Sequence, residues 1–64
     1  MPYRSFDIFQ KLPDGNHLWI ETSETLEEAR KRLLELVVRD SGIYGVYDGI
    51  LGKFVIPFPD GSEL

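Results

Sequence analysis

The side chains in this chain that could carry out chemistry are acidic residues and a single histidine. If side chains alternate strictly along the two predicted strands, Asp7 and Glu21 point to the same side of the sheet. Two carboxylates that lie close together can act as general acid and base. Polar residues at alternate strand positions are also what a solvent-exposed sheet face requires, and the sequence contains no long loop that could exclude water. We therefore interpret Asp7 and Glu21 as surface residues.

The remaining titratable residues do not form a recognisable catalytic or metal site. His17 lies beside a predicted turn and has no orienting partner in the sequence, so we do not expect it to act as a general base. Zinc sites of the Cys/His kind are excluded because the chain has one histidine and no cysteine. Three aspartates precede glycine without the other ligands of a calcium loop, namely Asp14, Asp48 and Asp60. We expect no enzyme activity, no metal and no cofactor.

Length and charge restrict the class of protein further. The 64 residues form one domain at most, and a core of this size rarely contributes more than about 5 kcal/mol without a disulfide, a metal or a partner subunit. The net charge of −4 disfavours nucleic-acid binding, which depends on Lys and Arg neutralising phosphates. Because the sequence has neither a membrane-spanning apolar run nor the apolar stretch of a secretion signal, we expect a cytoplasmic protein with no membrane or nucleic-acid partner.

Alternating apolar residues predict a hairpin in the first third of the chain. Residues 3–12 and 17–22 are rich in aromatic and branched side chains with a two-residue period. Residues 13–16 combine Pro, Asp, Gly and Asn, which is typical of a tight turn. On the face expected to meet a helix the alternation places Phe6, Ile8, Leu18 and Ile20.

One helix is predicted after this hairpin. Thr25 and Glu28 form a capping box, in which each side chain can bind a free amide at the beginning of a helix. Gly42 is predicted to take the left-handed conformation that ends the helix near Asp40. Between these ends, three- and four-residue spacing predicts an apolar stripe that faces the sheet, formed by Leu26, Ala29, Leu33, Leu36 and Val37.

The last third of the chain predicts a second hairpin. Its strands are residues 43–47 and 53–56, joined by a turn at residues 48–52. Pro57 and Pro59 then remove two backbone donors, so the sheet should end before them.

The predicted fold class is therefore α+β, a four-stranded, mainly antiparallel sheet with one helix packed on one face (ββαββ). We expect the first and third strands to be the central pair and to run antiparallel, with a parallel pair as the alternative. Residues 1–57 should form a single domain, and residues 58–64 an irregular C-terminal tail.

Two segments carry a resemblance to known proteins, DIFQKLPDGNHLWIETSETLEEARKRLLEL and GIYGVYD. Together with the order of elements they resemble small bacterial proteins of about this length that have no assigned function. Pro-Asp-Gly followed by a strand and TLEEA is also similar to the antitoxin half of HicB-type systems, which are small dimeric domains that bind a toxin. Those antitoxins typically have a further strand where this chain has only residues 21–24. The first resemblance implies a fold, and the second implies a protein partner.

One helix cannot cover both faces of the predicted sheet. The face opposite Phe6 and Ile8 should carry Tyr44 or Tyr47 along with the other outward aromatic side chains. We take as the candidate interaction surface Tyr3, Phe9, Trp19, Tyr44 and Phe54.

An exposed aromatic patch of this kind usually marks an interaction site. Three occupants fit the predicted surface: a second copy in a homodimer, a different protein or a ligand, and the chain's own residues 57–64. We favour a small non-enzymatic interaction module that self-associates through this surface. The alternative is a partner- or ligand-binding accessory domain.

Overall fold

The structure is a computed structural model that describes residues 5–61. One antiparallel sheet has the strand order β2-β1-β3-β4, and a single helix packs on it. This arrangement confirms the predicted α+β fold with β1 and β3 as the antiparallel central pair. The elements are β1 (Phe6–Lys11), β2 (His17–Ser23), α1 (Leu26–Arg39), β3 (Ile43–Asp48) and β4 (Lys53–Ile56).

The turn between β1 and β2 forms where the sequence predicts it. Gly15 has a φ of 90°, a conformation that glycine adopts without steric cost. The amide of Leu12 donates to the carbonyl of Asn16 at 2.8 Å, and the amide of Asn16 donates to the Asp14 carboxylate at 2.9 Å. The turn therefore fixes where β2 begins opposite β1.

A β-bulge in β2 changes which side chains share a face. Ile8 is opposite Glu21 and Phe9 is opposite Trp19, so Ile20 is the extra residue. Because directly opposite residues point to the same side of the sheet, Glu21 lies on the helix-facing side with Ile8. The strict alternation predicted from the sequence placed Glu21 beside Trp19, and that placement is wrong.

The helix begins as its capping residue predicts. The hydroxyl of Thr25 accepts a hydrogen bond from the amide of Glu28 at 3.1 Å. At the other end, the amide of Asp40 donates to the carbonyl of Leu36 at 2.8 Å, and Asp40 itself is extended. The helix therefore ends at Arg39, and the chain turns directly into β3.

Gly42 does not have the left-handed conformation predicted for it, since the described glycines with positive φ are Gly15, Gly52 and Gly61. Its surroundings leave little room for a side chain. A Cβ atom added at Gly42 would lie 2.6 Å from Nε2 of Gln10 and 3.2 Å from the ring of Tyr44.

The core lies between α1 and the sheet strands β1, β2 and β3. Its buried members are Phe6, Ile8, Ala29 and Val46. The predicted helix stripe contributes Leu26, Leu33 and Leu36 to this core, whereas Val37 is 44% exposed. Leu18 is 47% exposed because it lies on β2, at the edge of the sheet.

Candidate interaction surface

Strand pairing brings four aromatic side chains to the sheet face opposite the helix, which we call the open face. Phe9 of β1 is opposite Trp19 of β2, and Tyr47 of β3 is opposite Phe54 of β4. The ring centroids of Phe9 and Tyr47 are 6.4 Å apart, and those of Tyr47 and Phe54 are 5.4 Å apart. Both pairs are edge-to-face, a geometry that aromatic rings favour.

Tyr44 is not on the open face, which corrects its inclusion in the candidate surface. It is opposite Gln10 on the helix-facing side, is 4% exposed, and its hydroxyl donates to the carbonyl of Asp40 at 3.2 Å. Tyr47, three residues later, points the other way and takes the place expected for Tyr44. Tyr3, another member of the predicted surface, lies outside the described residues.

The burial of Tyr44 gives the domain a predicted sensitivity to alkaline pH. Burial raises the pKa of Tyr44, and the negative charge of Asp40 raises it further. Because the pKa is raised, protonated Tyr44 stabilises the folded state fully below its pKa in the unfolded chain, which is about 10. This stabilisation is lost as the pH rises through the higher pKa of Tyr44 in the folded state.

We therefore expect the free energy of unfolding to fall more steeply above about pH 10 in the natural chain than in Tyr44→Phe. Urea denaturation at several pH values from about 8 to 11 measures both slopes. Parallel profiles for the two proteins would contradict a protonated, buried Tyr44.

The segment that follows β4 packs on the open face although residues 57–61 form no helix or strand. Phe58 is 1% exposed, and its ring centroid lies 5.0 Å from that of Phe54 and 5.4 Å from that of His17. The Phe58 ring lies directly over Gly45: a Cβ atom added to Gly45 would be 3.2 Å from this ring. Residues 57–61 therefore cover the part of the open face around Gly45, from Phe54 on β4 to His17 on β2.

An ion pair also joins this tail to the open face. Lys11 Nζ lies 2.8 Å from a carboxylate oxygen of Asp60. His17 completes the contact with Phe58, and its buried Nε2 has no hydrogen-bond partner within residues 5–61. His17 thus belongs to the packing of the tail.

The part of the open face beyond the tail is centred on Trp19, which is 55% exposed. The indole N–H of Trp19 donates to the carboxylate of Asp7 at 3.4 Å, and the hydroxyl of Thr22 donates to the same oxygen. We call Trp19, Phe9, Asp7 and Thr22 the Trp19 surface. Its polar groups bond to one another, and its large exposed apolar side chain is the indole ring of Trp19.

Asp7 and Glu21 do not form a pair of carboxylates, because they lie on opposite faces of the sheet. Glu21 accepts a hydrogen bond from Nε of Arg32 at 2.6 Å, and Arg32 also bonds to Glu35 at 3.1 Å. These hydrogen bonds raise the pKa of Arg32, with the larger effect from Glu21. Glu21 therefore connects β2 to the helix.

Apolar side chains are exposed at three further places. On the outer side of the helix, Leu34 is 67% exposed and Val38 is 86% exposed. In the turn between β3 and β4, Ile50 and Leu51 are about half exposed, as is Leu18 on β2. Leu18 and Trp19 are thus neighbours in one edge strand.

Within residues 5–61, no three His, Cys, Asp or Glu side chains come together in a way that could hold a metal ion. In the same part of the chain, α1 is too short and too polar to cross a membrane.

Comparison of the chain with protein-family models, curated proteins and solved structures finds no match. The resemblance to small bacterial proteins and to HicB-type antitoxins therefore stays a prediction. The function has to be argued from the surface itself.

Proposed function

We propose that this chain is a non-enzymatic interaction domain that self-associates through the Trp19 surface. The observation that supports the proposal is the exposure of Trp19, at 55%, beside aromatic side chains that pack against one another. Tryptophan is among the residues most often found at the energetic centre of protein interfaces, because it buries a large rigid ring at little cost in entropy.

The chemistry of the Trp19 surface favours an apolar partner. Asp7 already accepts hydrogen bonds from the indole N–H of Trp19 and from Thr22. Covering the surface would therefore bury the ring without leaving the indole donor unpaired, which otherwise costs about 1–3 kcal/mol. The binding energy would come mainly from removing apolar area from water.

A second copy of the chain is the occupant that we propose. The buried core contains Phe6, Ile8, Ala29 and Val46, and the chain has no cysteine that could supply a disulfide. Domains of this size commonly gain stability from a partner subunit. A second copy supplies the same exposed ring, and in each copy the indole N–H of Trp19 already has its acceptor.

The first test is solution mass over about a hundredfold range of concentration, by sedimentation or light scattering, with tryptophan fluorescence recorded on the same samples. Trp19 is the single tryptophan in the chain, so its emission reports on this surface alone. We expect a dimer to form as concentration rises, with a blue shift of the emission.

Trp19→Ala is expected to raise the dimer dissociation constant at least about tenfold, since a central tryptophan commonly contributes 2 kcal/mol or more to an interface. Leu51→Ala is the matched control, because Leu51 is 53% exposed but lies in the turn between β3 and β4. A mass that stays monomeric at every concentration would contradict self-association and favour a different protein partner.

A further inference from the structure

We propose that the outer edge of β2 pairs with β2 of a second copy, so that two four-stranded sheets join into one eight-stranded antiparallel sheet. This inference rests on the proposed self-association and specifies its geometry. The argument comes from a difference between the two edges of the sheet.

The edge formed by β4 carries features that oppose pairing with another strand. β4 has four residues, begins with Lys53 and is followed by Pro57. Short length, lysine and proline are among the devices by which proteins keep an edge strand from pairing with other chains. The β4 edge is therefore protected against pairing with another strand.

The edge formed by β2 lacks these devices. β2 has seven residues, HLWIETS, with no lysine and no proline. Within residues 5–61, no strand pairs with its outer side. A long edge strand with apolar side chains and free backbone groups is a template for another strand.

The exposed side chains of β2 distinguish edge pairing from face-to-face stacking. Trp19 is 55% exposed on the open face, and Leu18 is 47% exposed on the helix-facing side. A copy stacked on the open face would cover Trp19 and leave Leu18 in water. A copy paired along the edge of β2 would lie next to both side chains.

The register that we expect for the pairing has its symmetry axis at Trp19. Antiparallel pairing of two identical strands requires a two-fold axis perpendicular to the sheet, which keeps each side chain on its own face. An axis at Trp19 places the two Trp19 rings side by side and Leu18 opposite Ile20 of the second copy. Residues 18–20 carry no charge, so this register brings no like charges together.

The bulge at Ile20 limits how far the pairing extends. Bulges bend a strand and increase its twist, so we expect the pairing with the second copy to end at Ile20. Glu21, just beyond, is already held by Arg32 of its own chain. The interface is therefore short and depends strongly on Leu18 and Trp19.

This dimer would have both helices on one side and both open faces on the other. The Trp19 surfaces of the two copies would then lie side by side and form a single surface that runs across the two-fold axis.

Hydrogen exchange of the backbone amides, followed by NMR below and above the dimerisation concentration, tests this geometry. We expect the outward-facing amides of β2 to exchange at least about tenfold more slowly in the dimer, while the edge amides of β4 are unchanged. A dimer with unchanged β2 amides would overturn edge pairing and leave the proposed function standing. A chain that remains a monomer would overturn both.

Leu18→Lys provides an independent test, because it places a charge on the edge and leaves Trp19 in position. We expect the dimer dissociation constant to rise at least about tenfold. Leu51→Lys makes the same change at a comparably exposed site and is expected to dimerise normally. Circular dichroism of both variants verifies that the monomers are folded. Unaltered dimerisation of a folded Leu18→Lys variant would overturn the inference.

Discussion

Phe58→Ala is expected to lower the free energy of unfolding by about 3–5 kcal/mol, the usual cost of truncating a buried phenylalanine. Phe58 is 1% exposed and packs between Phe54 and His17 above Gly45. The loss is comparable to the whole stability expected of a domain this small. We therefore expect this variant to be largely unfolded at room temperature, as measured by circular dichroism and urea denaturation.

Two further variants make this result interpretable. Phe58→Leu keeps an apolar side chain at the position, so it should fold and lose about 1–2 kcal/mol. Pro59→Ala changes an exposed neighbour in the same tail and should alter stability by about 1 kcal/mol or less. A Phe58→Ala variant as stable as Pro59→Ala would contradict the packing of the tail on the open face.

The position of Phe58 also explains why the end of the folded part was difficult to predict. Pro57 and Pro59 correctly indicate that no strand continues past Ile56. One apolar side chain between two prolines has no periodicity, however, and its binding place is formed by Gly45, more than ten residues earlier in the chain. Local patterns define elements, whereas this contact depends on how the strands are assembled.

The same distinction separates the correct and incorrect predictions about the sheet. The first turn, with its positive φ at Gly15, and the helix cap at Thr25 follow from local chemistry and were predicted. The face of Glu21 was not, because the bulge at Ile20 arises from the pairing of β1 with β2 and has no glycine to mark it. For the same reason, the sequence did not decide between Tyr44 and Tyr47 on the open face; the register of β3 on β1 decides it.

The aspartates that precede glycine provide the second large prediction. Asp14 and Asp48 both precede a glycine in a turn. Each carboxylate accepts a hydrogen bond from the amide two residues later, at 2.9 Å. Their surroundings differ: Asp14 is exposed, whereas Asp48 is fully buried and also accepts from the amide of Leu51 at 3.2 Å. A buried carboxylate acceptor with two backbone donors contributes more than an exposed one, because water cannot easily replace it.

We therefore expect Asp48→Ala to lower the free energy of unfolding by about 3 kcal/mol, since it removes a fully buried carboxylate and leaves the amides of Ile50 and Leu51 without their acceptor. Asp14→Ala is the matched control and should cost about 1 kcal/mol or less, because water can reach the freed amide. Asp48→Asn retains an acceptor oxygen and should fall between them. Urea denaturation of the three variants gives the order directly. Equal, small losses for Asp14→Ala and Asp48→Ala would contradict a structural role for the buried carboxylate.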